Sequence, residues 1–199
     1  MPTPPSPPTS CTLALPDWAA ELARTVTHLG PTTADRMQFA IDLARQNVER
    51  GSGGPFGALV VERDTGRVVA LGVNRVVASS LAVAHAEIVA LALADESARL
   101  RDPRAPRAPL QLVSSVEPCM MCLGAVLWSG VASLVFGALD EDARAIGFDE
   151  GCKPREWRRE LEQRGIEVQA GVQREAARDV LGLYERLGGA LYNRGQRPA

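Results

Sequence analysis

Short apolar segments of strand type alternate with helical segments along most of the chain, and this alternation restricts the fold to a mixed α/β architecture. Two Val- and Leu-rich stretches, 56–62 and 67–73, flank an Asp-Thr-Gly sequence that is typical of a hairpin turn. The predicted strands 132–138 and 166–172 are separated by a predicted helix over 155–164, and a helical crossover allows two strands to lie parallel. The pattern predicts a mixed five-stranded sheet with its last two strands parallel and helices on both faces.

The N-terminal part is predicted to be a leader followed by two helices. Residues 1–15 are rich in proline, which fixes φ and lacks a backbone donor, so a disordered leader is expected there. The first helix should start at Asp17 as N-cap and end at Leu29 before Gly30, and the second should start after Thr32 or Thr33 and end at Gly51. Residues 16–199 are expected to form one domain, whose parts are the N-terminal helices 17–50, a core 55–173, and a C-terminal helix and tail 174–199.

Charge and hydropathy exclude several classes of protein. Lys and Arg number 22 against 24 Asp and Glu, and a near-neutral chain is atypical of a polybasic nucleic-acid binder. No apolar run approaches the ~20 residues needed to cross a bilayer, and the N-terminus lacks a signal-peptide pattern, so a cytoplasmic location is expected. Four cysteines are too few for a disulfide scaffold at this length, which favours metal or redox chemistry for the Cys-x-x-Cys sequence.

Two short motifs open two of the predicted helices, 84–99 and 119–129. The first is His85-Ala86-Glu87 and the second is Pro118-Cys119-Met120-Met121-Cys122. Imidazole and thiolate are preferred zinc ligands, and three protein ligands leave a fourth position for water, as in catalytic sites. Zinc lowers the pKa of such a water from 15.7 towards roughly 7, and Glu87 would lie beside it as the proton carrier.

Other interpretations of these motifs remain open. The site could be a structural zinc centre, with Cys152, Cys11 or His28 as fourth ligand, although closed sites usually pair two Cys-x-x-Cys sequences and only one is present. The two cysteines could form a redox dithiol, which would leave the His-x-Glu motif without a role. Glu87 could be an ordinary acid on a helix surface.

The sequence His-x-Glu followed by Pro-Cys-x-x-Cys is the signature of zinc nucleobase deaminases. Over roughly residues 35–195 the chain resembles the cytidine/deoxycytidylate deaminase-like superfamily, and the segment 143–150, Ala-Arg-Ala-Ile-Gly-Phe-Asp-Glu, resembles bacterial guanine deaminases and plant guanosine deaminases. The resemblance implies a three-layer α/β/α cytidine deaminase-like fold. It also implies one Zn²⁺ per chain, with Glu87 as proton shuttle and three ligands: His85, Cys119 and Cys122.

The resemblance further implies a substrate pocket and a quaternary structure. Glu150 would be a second acid at the purine edge, and Asn74 would bind the base through its amide. The remaining pocket would be lined by the backbone of Ala86 and by four side chains: Phe56, Trp128, Phe148 and Tyr192. Family members close a C-terminal tail over the site and form homodimers, in the bacterial case with exchanged C-terminal segments. From the residues alone, Glu150 and Asn74 could also be turn residues, and the aromatic residues could be core.

The expected function is that of a zinc-dependent aminohydrolase that converts guanine to xanthine and ammonia. The loop 81–84 reads Leu-Ala-Val-Ala where the family commonly has Asp-Pro-Thr-Ala, so guanosine, cytosine or an aminated triazine ring remain alternative substrates. A tRNA adenosine deaminase is disfavoured because segment 155–160 mixes charges of both signs. A zinc-stabilised binding or dimerisation module without activity is disfavoured because nothing structural requires an acid at Glu87.

Overall fold

The computed structural model describes residues 6–99 and 108–192. Residues 1–5 of the predicted leader and the tail beyond Tyr192 lie outside the described residues, and residues 6–16 form neither helix nor strand. Within the described ranges the elements are, in chain order, α1 (Asp17–Thr25), α2 (Thr33–Glu49), β1 (Gly57–Glu62), β2 (Val68–Val73), α3 (Val76–Ser79), α4 (Ala86–Arg99), β3 (Leu110–Val116), α5 (Met120–Ser129), β4 (Ser133–Ala138), α6 (Asp140–Ala145), α7 (Trp157–Gln163), β5 (Glu167–Gln169) and α8 (Arg174–Arg186).

The five strands form one mixed sheet in the order β2-β1-β3-β4-β5. Strand β1 pairs antiparallel with β2 and β3, while β3 with β4 and β4 with β5 are parallel. The prediction of a mixed five-stranded sheet with its last two strands parallel is therefore confirmed. Each parallel pair is connected through helices, as a parallel arrangement requires.

Helices cover both faces of this sheet. On one face α2 and α8 pack over buried side chains of β1, β3 and β4, and on the other face α4 and α5 do so. Helix α2 carries an apolar stripe at helical spacing, and it is buried along its whole length: Met37, Ala40, Ile41, Ala44 and Val48. Helix α2 starts as predicted, because Thr32 and Asp35 form a reciprocal capping box.

The structure differs from the predicted elements at several ends. Helix α1 ends at Thr25 rather than Leu29, because the following residues pair with the end of the β1–β2 hairpin instead. The Val68 amide donates to the Thr27 carbonyl (2.8 Å) and the Leu29 amide donates to the Gly66 carbonyl (3.0 Å). The N-cap of α1 is Pro16 rather than the predicted Asp17. Strand β5 has three residues instead of seven, and the short helices α3 and α6 were not predicted.

The topology brings the ends of several strands together at one edge of the sheet. Strands β2, β3 and β4 end there and β1 begins there, and α5 starts close to that edge, directly after β3. Polar side chains that follow β2 and β3 are therefore gathered beside the N-terminus of α5. In the part of the chain that the structure describes, no helix combines the length and apolar character needed to span a membrane.

Candidate active site

Two helix N-termini bring together one imidazole and two thiols. His85 directly precedes α4, Cys119 is the N-cap of α5, and Cys122 lies in the first turn of α5. Their ligand atoms all lie within 4.8 Å of one another, and Cys119 Sγ is 3.6 Å from His85 Nδ1. Both thiols are buried and the imidazole is half-buried, so the predicted ligand group is assembled although its members are 34 residues apart in the chain.

This group fits zinc. Tetrahedral zinc bonds of about 2.0–2.3 Å place neighbouring ligand atoms about 3.3–3.8 Å apart, and the distance between Cys119 and His85 falls in that range. Among the described residues, no fourth side chain joins the group, and Cys11 and Cys152 are exposed elsewhere. The interpretation as a closed structural site with Cys152, Cys11 or His28 is therefore wrong for this arrangement.

Interactions within the group favour a thiolate at Cys119. A hydrogen bond from the Cys122 thiol, together with His85, lowers the pKa of Cys119 in spite of its burial. The same hydrogen bond and burial raise the pKa of Cys122. Burial lowers the pKa of His85, but the hydrogen bond with Cys119 and nearby negative charge outweigh it, so the net shift is upward. Because zinc binds thiolate sulfur, the polarised cysteine pair is suited to releasing protons on metal binding.

Two carboxyl groups lie close to the cysteines, and both are withdrawn from water. Glu87, the second residue of α4, is 6% exposed, and Glu150 is 5% exposed. Burial and then the charge of Cys119 raise the pKa of Glu87. Burial, followed by the charges of Cys119 and Glu87, raises the pKa of Glu150 to about 8. Glu87 is therefore not a surface acid, and both carboxyl groups hold a proton more readily than exposed ones do.

Asn74 lies at the C-terminal end of β2, fully buried, with its amide directed to the same region. Its Nδ2 donates to the Tyr192 hydroxyl (2.6 Å), and its Oδ1 accepts from the Val76 amide (3.3 Å). The ring of Tyr192 is 6.0 Å from that of His85 between centroids. Burial raises the pKa of Tyr192 well above its usual value, so its hydroxyl stays neutral. A C-terminal residue therefore covers the metal group of its own chain.

A model of the cytidine and deoxycytidylate deaminase zinc-binding region matches residues 32–138, which include the His-x-Glu motif and both cysteines of the ligand group. The chain belongs to the cytidine and deoxycytidylate deaminase family. Among known relatives of this deaminase, the guanine deaminase of Bacillus subtilis is 36% identical over 133 residues, which are 65% of this chain and 80% of that protein.

Solved structures agree with this assignment. A guanine deaminase from Nitrosomonas europaea superposes with a TM-score of 0.84 at 40% identity, covering 92% of the deaminase described here and all of that chain. A structure of NE0047 in complex with 2,6-diaminopurine also gives 0.84, at 42% identity over 92% of this chain and 96% of that one. The predicted cytidine deaminase-like fold is confirmed, and membership of a zinc-binding family confirms zinc, rather than a redox dithiol, as the interpretation of the cysteines.

The deaminase places the predicted pocket aromatic residues differently. Phe148 is buried, with Phe56 edge-on to it at 4.9 Å and Tyr192 at 5.3 Å between ring centroids. Trp128 is 90% exposed, so the prediction that it lines the pocket of its own chain is wrong. It lies two residues after the buried Val126 in α5, and the helical period turns it away from the face that carries Cys122. Ala86 is fully buried as the first residue of α4.

One polar residue beside the site was not predicted. The Asn47 Nδ2 donates to the carbonyls of Asn74 and Gly54, each at 2.9 Å, and its Oδ1 accepts from Ser52 Oγ (2.8 Å). Trp18 Nε1 of α1 in turn donates to Ser52 Oγ (3.0 Å). Asn47 is fully buried on the apolar stripe of α2, and an amide on such a stripe was the available sequence signal.

Proposed function

We propose that this deaminase hydrolyses guanine to xanthine and ammonia. The observation that carries the proposal is the placement of two buried carboxyl groups, Glu87 and Glu150, beside a group of one imidazole and two thiols. A zinc aminohydrolase needs this combination, because water must lose protons and the leaving amine must gain one. The relatives named guanine deaminase, and the purine analogue bound in a similar structure, support a purine base as substrate.

The first part of the reaction is assigned to the ligand group and Glu87. His85, Cys119 and Cys122 would hold one zinc ion, which when bound supplies a Lewis acid that makes a water molecule nucleophilic at neutral pH. Glu87 takes a proton from the water as its oxygen bonds to the amino-bearing carbon, and passes that proton to the adjacent ring nitrogen. Its raised pKa makes both transfers feasible, because the buried carboxyl group holds a proton more readily than an exposed one.

Glu150 is assigned to the second proton transfer. With a pKa of about 8 it carries a proton at neutral pH and can donate a hydrogen bond at the purine edge. Delivery of a proton to the amino group breaks the bond between carbon and nitrogen and releases ammonia, and the hydroxyl group left on that carbon returns its proton to Glu150 as the carbonyl of xanthine forms. The two acids therefore act on different atoms of one substrate, as their separate positions on α4 and on the loop after α6 allow.

Recognition of the base is assigned to Asn74 and the aromatic residues around it. The Asn74 amide offers both a donor and an acceptor, which suits the edge of a purine. Phe56, Phe148 and Tyr192 form an apolar wall next to it. The Tyr192 hydroxyl accepts from the Asn74 amide at 2.6 Å, so a side chain already occupies space beside the group assigned to the base, which favours a small free base over guanosine.

The direct test measures ammonia release from metal-replete protein with guanine, guanosine, cytosine and an aminated triazine. We expect guanine to give the highest kcat/KM, and the Glu87→Ala variant to lose roughly 10²-fold or more of that activity. Guanine turnover no higher than in the Glu87→Ala control would refute the proposed substrate. Zinc that stabilises the fold without turnover of any compound would instead indicate the binding or dimerisation module.

Polynucleotide binding provides a second discrimination. A tRNA adenosine deaminase should be retained on tRNA or heparin at low salt, whereas the residues at 155–160 mix both charges and predict weak retention. Retention on tRNA together with deamination of adenosine in tRNA would replace the free-base proposal.

Residues 16–199 are proposed to act as one domain in a homodimer. Helix α5 presents Trp128 and Met121, with Gly124 between them, on one outer face, and exposed apolar faces of this kind commonly mark an interface. Exchange of C-terminal segments would place a partner's tail over the pocket where Tyr192 now lies. Light scattering should give a dimer mass that Trp128→Glu reduces to that of a monomer. The free cysteines of the ligand group suit a reducing compartment, so a cytoplasmic location is proposed.

A further inference from the structure

An ion-pair network with two buried side chains, those of Lys153 and Glu117, lies behind the loop that carries Glu150. We call it the Lys153 network, and it consists of Glu117, Asp140, Arg144 and Lys153. Lys153 Nζ lies 2.7 Å from Glu117 Oε1 and 2.7 Å from Asp140 Oδ1, and the side chains of Lys153 and Glu117 are 8% and 6% exposed. Arg144 pairs with Asp140 and donates to the Gly151 carbonyl (2.6 Å).

Lys153 is the only lysine of the chain, whereas the other 21 of its 22 basic residues are arginine. Arginine supplies every other basic side chain, including the buried Arg36, and the one lysine lies where its ammonium is shared by two carboxylates. The compact ammonium can be shared by two acids from one point, whereas a planar guanidinium requires more space and a fixed direction for each hydrogen bond. The geometry at position 153 therefore favours lysine over arginine.

The network joins the elements that carry the reacting groups. Glu117 lies between β3 and the zinc motif, Asp140 begins α6 directly after β4, and Lys153 follows Glu150 by three residues. The loop around Glu150 is also held through its backbone. The Glu150 carbonyl accepts from the Met120 amide in the first turn of α5 (3.0 Å), and Arg144 binds the next carbonyl. The backbone at Glu150 is therefore held by α5 through its own carbonyl and by Arg144 of α6 through the next carbonyl.

Stability alone does not account for such a group. Burial of the Lys153 and Glu117 charges costs free energy, and apolar side chains of similar volume often stabilise a fold equally well. The charged groups instead fix the relative positions of their segments, because each carboxylate accepts a hydrogen bond from the Lys153 ammonium at a defined distance. Burial and the charges of Cys119 and Glu87 raise the pKa of Glu150, whereas the ammonium of Lys153 lowers it.

We propose that Lys153 is a positioning residue, which through Glu117 and Asp140 holds the loop so that the Glu150 carboxyl group faces the reacting end of the pocket. The inference rests on the proposed function, because it assigns Lys153 an effect on the reaction only through Glu150. It predicts that a loss of Lys153 changes turnover where Glu150 is intact and has little effect where Glu150 has already been replaced.

The test is a double-mutant cycle on the zinc-loaded enzyme with Lys153→Met, Glu150→Gln and the double variant. We expect Lys153→Met to lower kcat/KM roughly tenfold or more, mainly through kcat, with unchanged zinc content, since small misplacements of a reacting group are costly. In the Glu150→Gln background the same substitution should change kcat/KM by less than about twofold. Arg67→Met is the control, because it removes an ion pair with Glu62 near the hairpin turn, at the opposite end of the strands.

The outcomes separate the two proposals. An equal loss on Lys153→Met in both backgrounds, with Glu150→Gln itself impaired, overturns the positioning role and leaves the proposed function intact. A Glu150→Gln variant as active as the wild type overturns the role of Glu150 and the inference with it, and absence of guanine turnover in the wild type overturns the proposed function. If Lys153→Met does not fold, Glu117→Gln keeps the shape of the network and should show the same dependence on Glu150.

Discussion

Gly72 determines how closely the helix that follows His85 can approach the sheet. A Cβ atom added at Gly72 in β2 would lie 2.0 Å from the Ala86 carbonyl oxygen and 2.7 Å from the Ala90 amide nitrogen. Both neighbours are backbone atoms of α4, so a side-chain rotation cannot remove the overlap. Because carbon and oxygen normally stay about 3.3 Å apart or more, Gly72→Ala should push α4 away from the sheet by about 1 Å.

The expected size of the effect follows from this displacement. Overpacking of a well-filled core costs about 1–3 kcal/mol, which for a domain of this length lowers Tm by roughly 3–10 °C. Helix α4 carries Glu87 and follows the ligand His85, and a misplacement of about 1 Å can lower a rate about 10²-fold. Gly72→Ala should therefore lose turnover by a larger factor than its stability loss alone would suggest.

A second glycine, in helix α8, offers a control away from both the site and the proposed dimer face. A Cβ atom added at Gly182 would meet only the flexible end of the Arg186 side chain, with Nη1 at 3.2 Å. Because alanine favours a helix over glycine by about 1 kcal/mol, Gly182→Ala should raise Tm slightly and leave turnover within about twofold. Scanning calorimetry, zinc analysis and ammonia release compare the two variants. A Gly72→Ala protein with wild-type Tm and turnover would show that α4 is not held at the described distance.

Three further predictions concern the site. Chelation of zinc, or the Cys122→Ser substitution, should abolish ammonia release and lower Tm. Added Zn²⁺ should restore the activity of the chelated wild type but not that of the variant. Ammonia release by protein in which metal analysis finds no zinc would contradict this prediction. Burial above all raises the pKa of Glu150 to about 8, above its ordinary 4.5, so the folded state retains a proton that the unfolded state releases between these values. The stability that this proton contributes is complete below about pH 4.5 and is lost as pH rises to about 8, by on the order of 1 kcal/mol per pH unit at most. In thermal denaturation between pH 5 and 8, Glu150→Gln should therefore flatten the fall of Tm with pH. Parallel Tm curves for the wild type and the variant would refute this prediction. Asn47→Ala should lower the free energy of unfolding by about 1–3 kcal/mol and raise KM for guanine, because the buried Asn74 and Gly54 carbonyls lose their hydrogen-bond donor. An unchanged KM would exclude an effect of Asn47 on the pocket.

Features with a local sequence pattern could be predicted. The stripe from Met37 to Val48 predicts α2 because its spacing follows the helical period, and the capping residue Thr32 marks its start. The zinc ligands could be predicted because each motif sits at a helix start and the chemistry of His and Cys is specific. The parallel pairing of β4 with β5 could be predicted from the helical crossover between them, whereas the order of the five strands was not predicted.

Features that depend on contacts between distant segments could not be predicted. The end of α1 depends on the hairpin turn about 40 residues later, which pairs with Thr27 and Leu29 in place of another helical turn. The Lys153 network links residues up to 36 positions apart, and no local pattern relates Glu117 to Lys153. The resemblance to the family placed Trp128 in the pocket. The buried residues of α5, Cys122, Leu123 and Val126, lie on the inner face of the helix, and the helical period places Trp128 on the outer face.

The N-terminal helix has a practical consequence for anyone who shortens this protein. Trp18 lies outside residues 32–138, which the family model matches, yet its indole is hydrogen-bonded to Ser52, and Ser52 to Asn47, whose amide holds the carbonyl of Asn74. A version trimmed to begin at residue 32 would keep every zinc ligand and yet lose the first link of the hydrogen-bond chain that ends at Asn74. Affinity tags therefore belong ahead of residue 17, with the helix left intact.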